Sequence, residues 1–263
     1  MPASNLARAY RVYDEYVAGF RDSNGALLEM QQLKLDHSRR VAQIARDLAA
    51  AEKWSAADLP LAEIAGLYHD IGRYAQYRDY RTFQDQHSVN HGALGDEIIA
   101  AGGLAFLPPD ELAIVRVATR HHNARDLPTG LPARQLRFLQ LDRDSDKIDI
   151  YATLTGSIKD KLHLKYPELL HGVDPDGPAA AALIDRVLRG EKIGALDARS
   201  LSDFLVVGLQ WIVNGFNFPA SYRLLTERRV LAAVAEVIKM SPKVEELLRF
   251  AERRIAEQLT IKN

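Results

Sequence analysis

Leu61-Ala-Glu-Ile-Ala-Gly-Leu-Tyr-His-Asp-Ile-Gly72 is the stretch on which the reading of this chain turns. Ile64, Leu67 and Ile71 recur at spacings of three and four, the period of a helix with one buried face. His69 and Asp70 sit beside that stripe at its end. A His-Asp pair is common by chance, but this one belongs to an ordered set. His37 lies 32 positions upstream, and His91, His121-His122 and Asp146 follow downstream. Six of the eight histidines fall within His37–His122, so the set is concentrated rather than scattered.

Each of these groups sits in a segment with helical phase. His37 shares a face with Val41, Ile44 and Leu48, and His91 with Leu94 and Ile98. His121 falls on a stripe with Ile114 and Val117 or Ala118, and His122 is rotated about 100° from it. Buried imidazoles and carboxylates cost several kcal/mol unless partners or an ion compensate them, roughly in proportion to how completely they are desolvated. A metal centre is therefore expected, held by nitrogen and oxygen donors, because the chain has no cysteine. Such donors accept divalent Fe, Mn, Co, Ni or Zn. His87, in a polar segment, reads as a surface or supporting residue. His163 and His171 read as ordinary packing or surface residues.

The rest of the chain predicts an all-α fold, since apolar residues keep helical spacing and β-branched alternation is scarce. Helices are expected over residues 6–20 and 27–52. A third should run from an N-cap at Ser55, with Asp58 three residues on, to Ile71, with Gly72 as its exit. Residues 74–88 read as a tyrosine-rich connection in which Tyr74, Tyr77 and Tyr80 are expected simply to pack, with the lining of a pocket mouth as the alternative. Further helices are expected over 89–101, 109–122 and 136–158. Residues 170–178, His-Gly-Val-Asp-Pro-Asp-Gly-Pro at their core, mark a soft boundary between a metal-binding domain (1–170) and a helical extension (171–263). The extension should hold helices over 179–189, 201–214, 222–240 and 244–259, either capping the domain or forming a homodimer interface.

Charge is balanced, 34 basic against 35 acidic residues, which gives no sign of a nucleic-acid surface or a polybasic membrane patch. No apolar run approaches the roughly 20 residues that span a bilayer. The N-terminus has no signal-peptide core, so a cytoplasmic location is the expectation.

The stretches His37-Ser-Arg-Arg-Val-Ala-Gln-Ile-Ala, Leu67-Tyr-His-Asp-Ile-Gly-Arg73, His91-Gly-Ala-Leu-Gly95, Arg120-His-His122 and Arg143-Asp-Ser-Asp-Lys-Ile-Asp149 resemble the HD-domain superfamily of metal-dependent phosphohydrolases. The order of ligands is similar to the multi-metal HD-GYP branch. The resemblance implies His37, His69, Asp70 and Asp146 around one metal, with His91, His121 and His122 completing a second and Asp70 bridging. Asp142, Asp144 and Asp149 are alternatives for the last ligand; Asp146 best matches the family's Asp-Lys-Ile-Asp pattern. It implies hydrolysis of a phosphomonoester or phosphodiester in a nucleotide or another small phosphorylated molecule, with Asp70 orienting the water and Arg73 neutralising phosphoryl charge. Lys147 and Arg40 are further candidates for phosphate contacts. The Gly-Tyr-Pro element is absent after the double histidine, which puts cyclic-di-GMP in doubt as substrate, and Arg73 stands where the branch has Lys. Two alternatives remain open. Related HD-fold proteins use His, His-Asp, two further His and Asp to hold a mixed-valent di-iron site for oxygen-dependent cleavage, and a non-catalytic sensor would use the C-terminal helices for docking.

Overall fold

The computed structural model describes residues 3–166 and 173–260, and among these it is helical with no β-strand. The chain divides into two compact units, Met1–Asp149 and Ile150–Asn263. The boundary expected at residue 170, and His171 beside it, lie outside the described residues.

The first unit is built from α1 (Ala3–Ala18), α2 (Glu29–Ala51), α3 (Asp58–Tyr68), α4 (Gly72–Tyr80), α5 (His91–Ile98), α6 (Pro109–His121) and the first part of α7 (Ala133–Lys159). Its core runs along α2 and α3, where Val41, Ile44, Leu48, Leu61, Ile64 and Leu67 are almost fully buried. Local chemistry sets the helix starts. The Asp58 amide donates to Ser55 Oγ at 3.2 Å in the turn before α3, whose N-cap is Ala57 rather than the expected Ser55. Asn90 Oδ1 accepts from the Ala93 amide at 2.9 Å and caps α5. Pro109 opens α6 with Asp110 and Glu111 in its first turn, where the dipole favours negative charge.

Two expectations are corrected here. The third helix ends at Tyr68, not Ile71, and the residues expected to form a connection instead begin α4. Gly72 is therefore a helix start rather than an exit. The reason is a close approach: a Cβ on Gly72 would overlap the His91 carbonyl oxygen, and the next nearest atom is the Gly95 amide nitrogen at 2.8 Å. The chain turns at His69-Asp70-Ile71 so that α4 can lie against the start of α5. Gly66 does the same one turn earlier, where a Cβ would sit 2.9 Å from the Val41 carbonyl on α2. Tyr74 and Tyr77 pack, as expected, rather than lining a pocket mouth. Tyr74 is fully buried, its hydroxyl 3.0 Å from that of Tyr13, and Tyr77 packs on Phe83 with ring centroids 4.9 Å apart. Tyr80 is exposed.

The second unit holds the end of α7, then α8 (Leu162–Lys165), α9 (Ala181–Leu188), α10 (Leu201–Asn214), α11 (Pro219–Glu227), α12 (Val230–Ala235) and α13 (Pro242–Thr260). Leu205, Leu209, Ile212, Val187, Val244 and Leu247 form its buried core. The expected helix over 222–240 is broken at Arg229, which adopts a left-handed φ of 52°. Neither Gly nor Pro marks that break in the sequence. Ser241 Oγ accepts from the Val244 amide at 3.2 Å, and α13 begins at Pro242, two residues before the expected start.

Gly72→Ala should force α4 and α5 apart. Overpacking of this kind costs about 1–3 kcal/mol, which for a unit of this size lowers the melting temperature by several degrees. Thermal unfolding measures it; an unchanged melting temperature would show that the approach is slack.

Candidate metal centre

Five helices deliver the cluster. His37 comes from α2, His69 and Asp70 from the turn after α3, His91 from the first residue of α5, His122 from the end of α6 and Asp146 from α7. All four histidines are at least nine-tenths buried.

The tautomers follow from the partners. His37 Nδ1 donates to Asp149 at 2.7 Å, and His91 Nδ1 donates to Asp85 at 2.8 Å. His69 Nδ1 donates to the Gly66 carbonyl at 2.7 Å, and His122 Nδ1 to the Thr119 carbonyl at 2.8 Å. Carbonyls and ionised carboxylates only accept, so each Nδ1 carries the hydrogen. In the neutral rings every Nε2 is then a lone pair. These lone pairs face one another: His37 and His69 Nε2 are 3.2 Å apart, and His91 and His122 Nε2 are 2.9 Å apart. Opposed lone pairs at such distances repel unless a metal ion, or a proton on one of the two rings, lies between them.

Asp70 joins the two pairs. Its Oδ2 is 3.8 Å from His37 Nε2 and 3.6 Å from His69 Nε2. Its Oδ1 is 3.3 Å from His91 Nε2 and 3.5 Å from His122 Nε2. Asp146 Oδ1 closes the first set, 3.1 Å from His37 Nε2 and 3.5 Å from His69 Nε2. Donors about 2.0–2.1 Å from one ion sit about 3.0–3.4 Å from each other, so the spacing and chemistry of this set fit transition-metal ions. Three overlapping trios have one donor atom each within 4.8 Å of one another: His37-His69-Asp70, His69-His122-Asp146 and Asp70-His91-His122.

The HD domain family model matches residues 35–154. The chain carries an HD domain. No curated protein and no solved structure matches the chain. HD domains are typical of metal-dependent hydrolases, and this one groups His and Asp residues suited to divalent ions.

Within the HD domain, the structure does not bring His121 to the cluster. The buried face of α6 runs through Ile114, Val115, Ala118, Thr119 and His122, whereas Val117 and His121, read onto one stripe with Ile114 and Ala118, are less buried. Thr119 is fully buried, a position that polarity disguises. Arg40 does not offer a free fork: its Nε and Nη2 donate to the two oxygens of Asp149 at 2.8 and 2.9 Å, bracing the carboxylate behind His37. Lys147 is half-buried on α7. His87 is exposed, as expected.

Several supporting residues have no signal in the sequence. Asp85 accepts from His91, Arg73, Gln76 and Asn123 together. Arg143 Nη1 donates to the carbonyls of His121, His122 and Ala124, tying down the C-terminus of α6 where His122 sits. Lys34 Nζ lies 2.7 Å from Asp70 Oδ2.

Burial disfavours charge throughout the cluster, and the neighbours decide which groups keep it. Burial works against an ionised Asp70, but Lys34, His69 and Arg73 outweigh it and hold the carboxyl well below its usual range. Burial likewise opposes an ionised Asp146, and the neighbouring His37 and His69 imidazoles hold it low. Burial lowers His69, yet the carboxylates of Asp70, Asp146 and Asp142 raise it to about 9. Burial and then Arg73 push His91 down to about 3. Among the described residues neither oxygen of Asp142 has a hydrogen-bond partner, and its burial raises it to about 6.

Two predictions follow from this geometry. His122→Ala should lose metal, whereas His121→Ala should retain it; elemental analysis of purified variants decides, and equal losses would show that both rings bind. Without metal, His69 carries its proton at neutral pH, and ligation must displace it. Metal uptake should therefore release protons, and affinity should rise with pH up to about 9, where His69 is already half deprotonated. Calorimetry in buffers of different ionisation enthalpy reads the release directly; uptake without protons would contradict it.

Proposed function

We propose that this HD domain hydrolyses a phosphomonoester or phosphodiester, in a nucleotide or another small phosphorylated molecule, at a centre of two divalent ions. The observation that carries the reading is Asp70, whose two oxygens each face a separate pair of imidazole lone pairs. Bound ions at such a centre lower the pKa of a water toward neutrality and polarise a phosphoryl oxygen.

The chain's own residues do the rest. Asp70 and Asp146 supply the negative charge that holds the cations. Asp149, Asp85 and the carbonyls of Gly66 and Thr119 fix the ring orientations, a role whose removal typically costs about 10–100-fold in metal affinity or activity. Arg73 stands at the rim with 15% of its side chain exposed, its Nη1 anchored by the Phe83 carbonyl, Gln76 and Asp85. There it faces Asp70 with Nε 3.4 Å from Oδ1, placed to neutralise charge on phosphoryl oxygens.

Asp70→Asn keeps the shape of the side chain and removes its charge. It should lower phosphate release from generic phosphomonoesters and phosphodiesters by more than about 100-fold, beyond the effect of a residue that only backs a ligand. Full activity in a well-folded Asp70→Asn protein would sink the mechanism.

A second reading gains from one observation. With His121 outside the cluster, the set is His37, His69-Asp70, His91, His122 and Asp146. That is also the pattern of the di-iron oxygenases the sequence resembles. Oxygen consumption by iron-loaded protein, with no phosphate release from esters, would reverse the order of the two readings.

A further inference from the structure

The four histidines and Asp70 are almost sealed, whereas the ligand Asp146, at 15%, and the cationic residues beside the cluster are not. Asp70 keeps 4% of its side-chain surface, while Lys34 keeps 17% and Arg73 keeps 15%. Lys34 lies one turn before His37 on α2, so both side chains leave the same face of the helix. Its Nζ is 2.7 Å from Asp70 Oδ2, the oxygen that faces His37 and His69. Arg73 Nε lies on the other oxygen, 3.4 Å from Oδ1, and makes no hydrogen bond there. Both cations lie over the same ring: Lys34 Nζ is 5.3 Å and Arg73 Cζ 5.4 Å from the centroid of Phe83. Two cations from two helices therefore flank one carboxylate and share one aromatic wall.

This arrangement is balanced only while Asp70 is free to answer Lys34. An ammonium beside two divalent ions that share the same carboxylate has lost its counter-charge. In a poorly hydrated site, uncompensated like charges repel strongly. A dianionic oxygen cluster restores the balance by accepting from Lys34 Nζ and from the unpaired Arg73 N–H.

We infer that Lys34 and Arg73 form a two-cation subsite for the phosphoryl group of the substrate, with Lys34 leaving its Asp70 ion pair for a substrate oxygen in the metal-loaded protein. This rests on the phosphohydrolase reading for the identity of the anion, and adds to it a residue that the ligand pattern does not include. Lys34 binds and positions; it does not hold metal.

The test uses metal-loaded full chain, inorganic phosphate as the probe and three proteins: wild type, Lys34→Met and Lys34→Arg. Methionine keeps an unbranched apolar stem against Phe83 and removes the charge. Metal content per chain should match wild type in both variants. Phosphate affinity, read by calorimetry, should fall about 10- to 100-fold in Lys34→Met, the loss expected for one charged hydrogen bond, and recover most of the way in Lys34→Arg. Wild-type affinity in Lys34→Met at full metal content overturns the inference. So does loss of metal from Lys34→Met, which would make Lys34 a support of the cluster, and so does a holoprotein that binds no phosphate. Should Lys34→Met unfold, Lys34→Gln takes its place under the same criteria. The two proposals fail separately: Lys34-dependent phosphate binding without ester hydrolysis removes the hydrolase reading and leaves the subsite. Ester hydrolysis with an unchanged KM in Lys34→Met does the reverse.

Discussion

Opposed imidazole lone pairs around a single shared carboxylate are the constraint on which the first unit depends. Two pairs of Nε2 atoms approach to 3.2 and 2.9 Å, with Asp70 between them. The fold could relieve this contact by rotating any ring, and each ring is prevented from rotating by its Nδ1 bond. The four bonds divide evenly. His69 and His122 donate to carbonyls three residues back, at Gly66 and Thr119. Both histidines therefore stand at helix C-termini, where unpaired carbonyls need donors and the helix dipole favours a cation. His37 and His91 donate to carboxylates. Each half of the cluster thus holds one imidazole backed by a carboxylate and one backed by a carbonyl.

The helices had to come close enough to bring these rings together, and small residues allow it. Gly66 lets α3 meet the α2 backbone beside His37, and Gly72 lets α4 meet α5 beside His91. Both glycines flank the His-Asp turn, so one short stretch of sequence sets two helix–helix distances and supplies the ligands between them.

The all-helical class, most helix spans and the grouping of the His and Asp series apart from His121 were legible because they depend on local period. Apolar residues at spacings of three and four place His37, His69 and His91 on inward faces without any knowledge of their partners. What stayed hidden depends on contacts across the fold. The Asp149 carboxylate behind His37 lies 112 residues away in the chain. Asp85 sits in a short polar segment with no period, and Lys34 is a single cation among many on an amphipathic helix. The phase of α6 was misread because buried Thr119 is polar and the less buried Val117 is not. The start of α4 was missed because Gly72 reads as punctuation, when its lack of a side chain serves an approach between helices.

The charges in and around Asp70 explain how the cluster can exist before any ion enters it. A carboxyl this deeply buried would ordinarily take up a proton and lose its affinity for cations. Lys34, His69 and Arg73 together keep it ionised. Lys34 does so from the solvent side, where its ammonium occupies the oxygen that an ion would otherwise neutralise. The metal-free protein therefore carries an ammonium and an imidazolium where the loaded protein would carry metal charge. An ammonium on a flexible stem can withdraw, whereas the Asp149-braced ring of His37 and the Gly66-bound ring of His69 cannot. Of the groups that stabilise Asp70 in the metal-free state, Lys34 is the one with both the freedom and the exposure to change partners.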